Sequence, residues 1–330
     1  MLRSSFSSTI MWAALAIASM HGGMALAQDA PPKNGQAIEL EVGFAAGGPT
    51  DILARLIGNE ASRALHQPVV VVNRTGASGN LATMAAARAK PDGSTLLVAS
   101  LTHNVNPLLM PETSKYDPIN DFTPVSQAVT LFQALVVPYD SPINSVADLI
   151  AKAKTPAGVT YGSAGIGGSG HLAAALLANR TGLQMLHVPF RGNAPALTEV
   201  VAGRVDFMFY PMVGLQPMVE SKRIKVLAVT SPQRYPGYLD VPTMAEAGFP
   251  GFERYSNFVG FLAPRGTPVA VVKRLSDGFR AAMNQPAVQE QLNTLGAVAV
   301  ASSPQEFAEF LVEDRKRWAA LIKNANIQAQ

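Results

Sequence analysis

Cysteine is absent from the 330-residue chain, which excludes disulfide scaffolds, thiolate zinc sites, iron–sulfur clusters and cysteine nucleophiles. Charged residues are scarce as well: they make up 15% of the chain, and 26 basic against 23 acidic side chains leave a formal net charge of +3. No run of five basic residues occurs, so the sequence does not predict a groove for nucleic acid phosphates. A hydrophobic content of 48% is too high for a disordered chain, and the length suffices for two domains.

Common catalytic motifs are missing too. The zinc-protease spacing H-E-x-x-H and the hydrolase turn G-x-S-x-G do not occur. Ser169, His171 and Asp206 are the one conceivable catalytic triad, but a serine and a histidine so close together at the start of a helix rarely face each other. We therefore expect a protein that is not an enzyme and uses neither a cofactor nor a metal. A secreted serine hydrolase is the alternative from a different functional class.

The first 27 residues have the pattern of a secretory signal peptide. Arg3 provides the positive start, residues 10–20 form an apolar stretch, and Ala25-Leu26-Ala27 matches the small-x-small cleavage pattern. The apolar stretch is shorter than the roughly 20 residues that span a bilayer, so a membrane anchor is the weaker interpretation. We predict cleavage after Ala27 and export of a nearly neutral protein to the periplasm.

The remaining chain alternates between short apolar runs and helical patterns, which predicts an α/β fold with parallel sheets. The first series has the order strand, helix, strand, helix, strand. Its strands are predicted at residues 38–44, 69–72 (a buried strand) and 95–99, with helices from residue 52 to residue 65 and over 81–89. A stretch rich in proline and asparagine, residues 106–124, follows it.

A second series of the same kind begins with a predicted strand at residues 131–137. It continues with strands at 159–161, 185–188, 205–209 and 226–229 and helices at 146–154, 171–179 and 194–201. A strand at 258–263 and two helices follow, and the signature Ser303-Pro304-Gln305-Glu306 starts the last helix at residue 304. We predict two lobes with two hinge crossings, near residues 135–142 and 255–265. Lobe 1 comprises residues 28–137 and 260–330, and lobe 2 comprises residues 138–259.

The cleft between such lobes is the default ligand site, and two glycine-bearing loops are predicted to face it. The first, residues 44–51, joins a strand to a helix. Its glycines let the main chain approach a ligand, and the free N–H groups of the first helical turn attract anions. Thr50 adds a hydroxyl group. Asp51 has two possible roles, as a helix cap or as a contact for an ammonium or hydroxyl group of the ligand.

The second loop, residues 162–171, contains the spacing G-x-G-x-x-G. A dinucleotide site would need an acidic residue roughly 20 residues later, where the chain has Val188-Pro189-Phe190-Arg191 instead, and no lysine follows for a phosphate loop. What remains is a small nest with the hydroxyl donors Ser163 and Ser169, which suits a carboxylate. We expect His171 to cap or pack this loop, or to donate one hydrogen bond into the cleft.

Further motifs support a resemblance that runs in order along nearly the whole mature chain. They are Gly47-Gly48-Pro49-Thr50-Asp51, Pro91-Asp92-Gly93, Tyr116-Asp117-Pro118, Gly165-Ile166-Gly167, His187-Val188-Pro189-Phe190-Arg191-Gly192, Ala194-Pro195-Ala196-Leu197 and Asp240-Val241-Pro242-Thr243. Together they resemble the Bug-type periplasmic solute-binding proteins, the extracytoplasmic receptors of tripartite tricarboxylate transporters.

The resemblance implies a two-lobed periplasmic binding protein, a type II-like Venus flytrap. Such a receptor closes on a small carboxylate and delivers it to a membrane permease. The receptor is expected to be a monomer that binds through backbone amides, hydroxyl groups and bridging waters. The ligand-binding residues carried over or inferred from the loops are Phe44, Ala46, Gly48, Thr50, Asp51, Thr102, Ser163, Ala164, Ser169, His171, Asn193, Ala194 and Tyr210.

The sequence departs from the family pattern at two places. Phe44-Ala45-Ala46 stands where proline is common in the family. This difference lies at the expected pocket entrance, so the sequence does not decide whether the ligand is a dicarboxylate, an amino acid, citrate or an aromatic acid. Thr75 replaces a usual proline in the segment 73–79, where we expect only a changed surface loop. His103 is a further residue that could line the pocket or simply pack. The receptor of an ATP-driven importer remains an alternative that differs only in its membrane partners.

Overall fold

The computed structural model describes residues 36–324 and 327–328. The predicted signal peptide, residues 1–27, lies outside the described residues. Two sheets with helices on their faces make up the described chain, as the predicted α/β fold requires. Among the described residues, no helix combines the length and the hydrophobicity needed to cross a bilayer.

The strands and helices are numbered in chain order. The strands are β1 Ile38–Val42, β2 Val69–Asn73, β3 Thr95–Ser100, β4 Phe122–Leu131, β5 Gln133–Pro138, β6 Thr160–Ser163, β7 Leu186–Pro189, β8 Phe207–Pro211, β9 Ile224–Val229, β10 Asn257–Pro264 and β11 Ala297–Ala299. The helices are α1 Pro49–Leu65, α2 Asn80–Ala87, α3 Leu101–Leu109, α4 Val146–Ala153, α5 Ser169–Thr181, α6 Asn193–Val201, α7 Gln216–Glu220, α8 Val269–Met283, α9 Pro286–Leu295 and α10 Pro304–Asn324.

The first sheet has the strand order β11-β4-β10-β3-β1-β2. Strand β1 pairs in parallel with both β2 and β3, so the predicted parallel core of this lobe is confirmed. Strand β10 runs antiparallel between β3 and β4. The prediction of a buried strand at residues 69–72 is wrong, because β2 lies at the edge of the sheet and Val70 is 46% exposed.

The second sheet has the strand order β7-β6-β8-β5-β9, with β6 parallel to β7 and β8 and β5 antiparallel to β8 and β9. The single strand predicted at residues 131–137 is in fact two. Strand β4 ends at Leu131 in the first sheet and β5 begins at Gln133 in the second. Because apolar residues continue across this point, the sequence pattern does not reveal the change of sheet. Residues 133–137, which were predicted to belong to lobe 1, therefore lie in the second sheet.

The chain returns to the first sheet at β10, which begins at Asn257, before the expected boundary at residue 260. The final helix α10 packs against α3 and β4. Its predicted start is confirmed: the N–H of Glu306 donates to Ser303 Oγ at 3.2 Å, and the N–H of Ser303 donates to Glu306 Oε2 at 2.8 Å. Trp318 on this helix is buried, and its indole ring lies 5.2 Å from the ring of Tyr255.

Helix α3 was not predicted, because its second half lies in the segment that was interpreted as a proline- and asparagine-rich connection. Pro107 lies inside the helix, and buried asparagines interrupt the apolar pattern. One of them, Asn104, donates to Leu311 O at 3.0 Å and to Asp314 Oδ2 at 2.9 Å. These bonds to α10 satisfy the NH₂ group of the Asn104 side chain, which the apolar interior would otherwise disfavour.

Candidate functional site

Both glycine-bearing loops lie at the boundary between the two sheets. A Cβ atom built on Gly192 would lie 3.2 Å from the backbone N of Ala45, and one built on Gly165 would lie 2.6 Å from Ser78 Oγ. The loops of the two lobes therefore approach closely, and glycine leaves the room for this approach.

A cavity of about 490 Å³ lies at this boundary. Its lining residues come from four loops, those after β1, β2, β6 and β7, and from the start of α6. They are Gly43, Phe44, Gly76, Ala77, Ser78, Gly79, Ala164, Gly165, Ile166, Pro189, Phe190, Arg191 and Pro195. Of the predicted site residues, Phe44 and Ala164 are among them.

The first loop is stabilised by Asp51, whose two carboxylate oxygens are both occupied. Oδ2 accepts from the N–H of Gly47 at 2.9 Å and from Arg55 Nε at 3.0 Å, and Oδ1 accepts from Asn73 Nδ2 at 2.9 Å. Asn73 also donates to Phe44 O at 3.0 Å. Burial raises the pKa of Asp51, but these hydrogen bonds outweigh it and hold the pKa below its usual value. Asp51 therefore stabilises the loop, and its predicted role as a helix cap is wrong, because Gly48 is the N-cap residue of α1 and no side chain caps this helix.

The start of α1 has main-chain N–H groups without a hydrogen-bond acceptor. Gly48 is the N-cap residue, no side chain caps it, and the first helical hydrogen bond runs from Ile52 N to Gly48 O at 3.0 Å. The N–H groups of Thr50 and Asp51 have no acceptor within the part of the chain that the structure describes. Thr50 is buried, whereas Ala46 is exposed at the tip of the loop. Unpaired N–H groups at a helix start attract negative charge.

The second loop is held by two stacked imidazoles. The ring of His187 lies 4.3 Å from that of His171, and both stack on Tyr161. The N–H of Gly167 donates to His171 Nδ1 at 3.1 Å, so the expectation that His171 caps the loop is confirmed. Burial lowers the pKa of His171 to about 4. Burial and the neighbouring His171 lower that of His187 to about 3, so both rings are neutral near pH 7.

Ser163 is fully buried and engaged within the loop. Its hydroxyl lies 2.7 Å from His187 Nε2 and donates to Gly165 O at 3.0 Å, while the N–H of Gly165 donates to Ser163 Oγ at 3.1 Å. Ser163 thus shapes the loop rather than presenting a free donor. Ser169, the first residue of α5, is also buried, and its carbonyl accepts from Gln133 Nε2 at 3.3 Å.

The predicted site residues Asn193 and Ala194 are the first two residues of α6. Both are half-buried and lie next in sequence to the lining residue Pro195. Asn193 Oδ1 is buried and accepts no hydrogen bond from any described residue. A buried polar atom without a partner is costly, so this atom is a candidate acceptor for a water or ligand donor.

The remaining predicted pocket residues lie behind the lining. A Cβ atom built on Gly79 would lie 3.6 Å from Thr102 Oγ1, so Thr102 lies just beneath that glycine. Tyr210 is 3% exposed within the core of the second lobe, where burial raises its pKa to about 12. His103 packs edge-on against Phe122 and bonds through Nε2 to Pro118 O at 2.8 Å, with its pKa lowered to about 4 by burial. Packing, rather than pocket lining, is therefore its role.

Two sets of lining residues were missed. The segment 73–79 was expected to be a mere surface loop, but residues 76–79 line the cavity. All four have positive φ, of 141° at Gly76, 45° at Ala77, 54° at Ser78 and 92° at Gly79. Asn106 Nδ2 anchors this strained segment by donating to Ser78 O at 2.9 Å. The two glycines around two small residues were the signal that could have found it.

Phe190 and Arg191 were the second set. Their positions in the sequence speak against a dinucleotide site and belong to a family motif, but they did not predict a pocket residue. Arg191 is the one charged residue lining the cavity, and its guanidinium has no carboxylate partner within the described residues. An unpaired guanidinium favours an anionic ligand.

The conceivable catalytic triad is not assembled. Asp206 is bound to Lys152, to Thr160 N at 2.7 Å and to Thr160 Oγ1 at 2.9 Å, while His171 uses Nδ1 to hold Gly167. No cluster of three histidine or acidic side chains that could hold a metal occurs among residues 36–324 and 327–328.

A family model described as the tripartite tricarboxylate transporter family receptor matches residues 53–327. The chain belongs to this family. Members are receptors rather than enzymes, so the expectation of a non-catalytic solute-binding protein is confirmed. A protein encoded in the tcbD-tcbE intergenic region of Pseudomonas sp. strain P51 is 39% identical over 87% of this chain and 86% of its own length. BugT of Bordetella pertussis is 31% identical over 96% of this chain and 97% of its own length.

Solved structures of the family superpose closely on this fold. The periplasmic binding protein BugD is 33% identical, with a TM-score of 0.85 over 89% of this chain and 99% of its own. MatC of Rhodopseudomonas palustris, solved with malate, is 33% identical with a TM-score of 0.82 over 87% and 98%. Rpa4515 of R. palustris, solved with adipate, is 35% identical with a TM-score of 0.85 over 88% and 98%. The predicted two-lobed periplasmic binding protein fold is thereby confirmed.

Proposed function

We propose that this protein is a periplasmic receptor that captures a small carboxylate in the cavity between its lobes and delivers it to the permease of a tripartite tricarboxylate transporter. The observation that carries this proposal is the meeting of the loop after β1, the segment 76–79 and the second-lobe loops at one cavity, whose single charged lining residue is Arg191. The loop after β1 leads directly into the start of α1. Helix N-termini and a guanidinium are both suited to negative charge.

The binding groups in this proposal differ in their roles. The N–H groups of Thr50 and Asp51 meet one carboxylate directly or through water, and Asn193 Oδ1 accepts from the ligand or from a bridging water. Gly48 leaves room for the main chain to approach. Phe44 and Ala164 pack against the ligand body. Ser163, His171 and the Asp51 carboxylate hold the loops in shape, and Thr102, Ser169 and Tyr210 support the lining from behind.

The relatives bound to malate and adipate guide the choice of ligand. Both are dicarboxylates with a short carbon chain, and a cavity of about 490 Å³ has room for such molecules. We propose a ligand of this class, with Arg191 near one of its acid groups. The proposal includes export, with cleavage of the signal peptide after Ala27, and action as a monomer.

Closure on the ligand would be a rotation of the two lobes about two crossings of the chain. The first crossing is Phe132, between β4 and β5, and the second precedes β10 at Ser256. We therefore place the division between the lobes at these residues. Two extended connections between compact sheets are a usual hinge arrangement.

Isothermal titration with malate, adipate and their dimethyl esters tests the proposal. The acids are expected to bind and the uncharged esters to bind at least tenfold more weakly, because the site supplies donors and positive charge. Arg191→Ala is expected to weaken binding of the acids by roughly tenfold to a hundredfold, whereas Arg88→Ala, at an exposed arginine directly after α2, leaves it unchanged. Equal binding of acids and esters would contradict the proposal.

A further inference from the structure

A second and larger cavity, of about 810 Å³, lies elsewhere between the two lobes. It shares no lining residue with the first cavity. One wall comes from the second lobe, after β8 and β9, and the other comes from the junction of α9 and β11 in the first lobe. Residues that form the two walls include Met212, Tyr235 and Tyr238 on one side and Leu295, Gly296 and Val298 on the other.

The charge of this cavity is opposite to that of the first. Glu220, at the end of α7, is the one charged residue among its lining residues. Gln216 Nε2 donates to Glu220 Oε1 at 2.7 Å, but within the described residues no lysine or arginine forms an ion pair with this carboxylate. A carboxylate ligand would therefore meet repulsion here and no cation.

Two tyrosines give the cavity an aromatic wall. The rings of Tyr235 and Tyr238 lie 6.0 Å apart, and the Tyr235 hydroxyl donates to Asn293 O of the other lobe. The hydroxyl of Tyr238 is buried and has no hydrogen-bond partner in the described part of the chain. Burial, together with Tyr235 and Glu220, raises the pKa of Tyr238 to about 12, so the hydroxyl keeps its proton at neutral pH.

We propose that this cavity binds a small amine with an apolar body. Its ammonium group would lie near the Glu220 carboxylate, where the faces of Tyr235 and Tyr238 also attract a cation. Its apolar body would fill the space beside Leu295, and the Tyr238 hydroxyl would gain the hydrogen-bond partner that it lacks. This site is independent of carboxylate capture and does not rest on it.

Two probes of similar size and opposite charge test the proposal with the purified protein. 2-Phenylethylamine is expected to bind, as measured by titration calorimetry and saturation-transfer NMR. Glu220→Gln is expected to weaken its binding about fivefold to tenfold, since the exposed carboxylate acts partly through solvent. Glu309→Gln is the matched control, because Glu309 on α10 also accepts from a glutamine one turn earlier, Gln305, and lies on another element.

The second probe, 3-phenylpropionate, separates the two cavities. Any binding of this acid is expected at the first cavity, where Arg191→Ala weakens it, while the same variant leaves binding of 2-phenylethylamine unchanged. Tyr238→Phe keeps the ring and removes only the hydroxyl, and it is expected to weaken amine binding without lowering the melting temperature. The proposal is overturned if the amine does not bind, or if Glu220→Gln and Glu309→Gln affect its binding equally.

Discussion

Asp51 shows how one buried carboxylate shapes a loop that binds through its main chain. Its oxygens accept hydrogen bonds from Gly47, Arg55 and Asn73, so the loop, the helix and the neighbouring strand end are joined at one point. A carboxylate beside an anion site is unfavourable in itself. Here its charge is offset by Arg55 and by the hydrogen bonds that it accepts, and the free N–H groups of the helix start remain available.

Asp51→Asn is expected to lower the free energy of unfolding at pH 7 by about 2 kcal/mol, because the new amide NH₂ group would face donors instead of accepting from them. Half-exposure of Arg55 limits the contribution of the ion pair itself. Urea denaturation measures the change. Asp277→Asn, which removes an exposed pair with Lys273, serves as control and is expected to cost less than about 1 kcal/mol.

The same variant has a defined pH dependence. Because folding lowers the pKa of Asp51, its stabilising effect is present above the unfolded value of 3.8 and is lost as the pH falls through the folded pKa. The difference in unfolding free energy between wild type and Asp51→Asn is therefore expected to shrink between pH 5 and pH 3. A difference that stays constant over this range would show that the charge of Asp51 does not stabilise the fold.

At the scale of helices and strands, the sequence predicted the parallel core well because its signals are local. Gly182 ends α5 with φ of 67°, as a left-handed cap should, and Ser303 with Glu306 starts α10. Helix α3 was missed because Asn104 and Pro107 interrupt the apolar spacing typical of a helix. The polar contacts that stabilise it come from α10, far along the chain. Such long-range compensation has no local signal.

Part of the candidate site was also predicted from the sequence, and part of it was missed. Glycines near strand ends indicated the two loops, and both face the cavity. The segment 76–79 was missed although Gly76 and Gly79 mark it, because the hydrogen bond from Asn106 that anchors it comes from α3, outside the local sequence pattern. Ser163 was predicted to be a free donor, but its partner His187 lies on another strand and could not be assigned to it from spacing.

The loop that follows β6 depends on the His171–His187 pair. His187→Phe keeps an aromatic ring in the stack and removes the nitrogen that bonds Ser163, so we expect carboxylate binding to weaken by about tenfold. Ser163→Ala is expected to have a similar effect, and the double variant no more than the worse single one, because both remove the same contact. Titration calorimetry on the four proteins measures this coupling, and additive losses would contradict it.

These histidines also predict how stability depends on pH. Folding lowers both pKa values, from 6.5 to about 4 for His171 and to about 3 for His187. Their neutral forms therefore favour folding above pH 6.5, and this contribution is lost progressively as the pH falls, since the unfolded chain takes up protons first. Wild type is expected to lose stability between pH 6.5 and pH 4 more steeply than His187→Phe. Parallel curves for the two proteins would rule out this linkage.

At the scale of the whole molecule, the two lobes are connected by two crossings and approach each other at glycines. Ala45 in the first lobe faces Gly192 in the second, where a Cβ atom would lie 3.3 Å from that of Ala45. A side chain at position 192 would therefore crowd Ala45. A receptor that traps its ligand by closure needs this approach, because closure removes the ligand and the N–H donors from water.

Ala45→Leu is therefore expected to hold the lobes apart without disturbing either core, since Ala45 is only half-buried in a loop. We expect dicarboxylate affinity to fall by roughly tenfold to a hundredfold, because part of the binding free energy would be spent on an incomplete closure. Small-angle X-ray scattering gives the decisive comparison. Wild type and the control Ala64→Leu, at an exposed position on α1, are expected to contract when malate or adipate is added, and Ala45→Leu is not. If Ala45→Leu contracts as much as wild type, closure does not depend on the contact between Ala45 and Gly192.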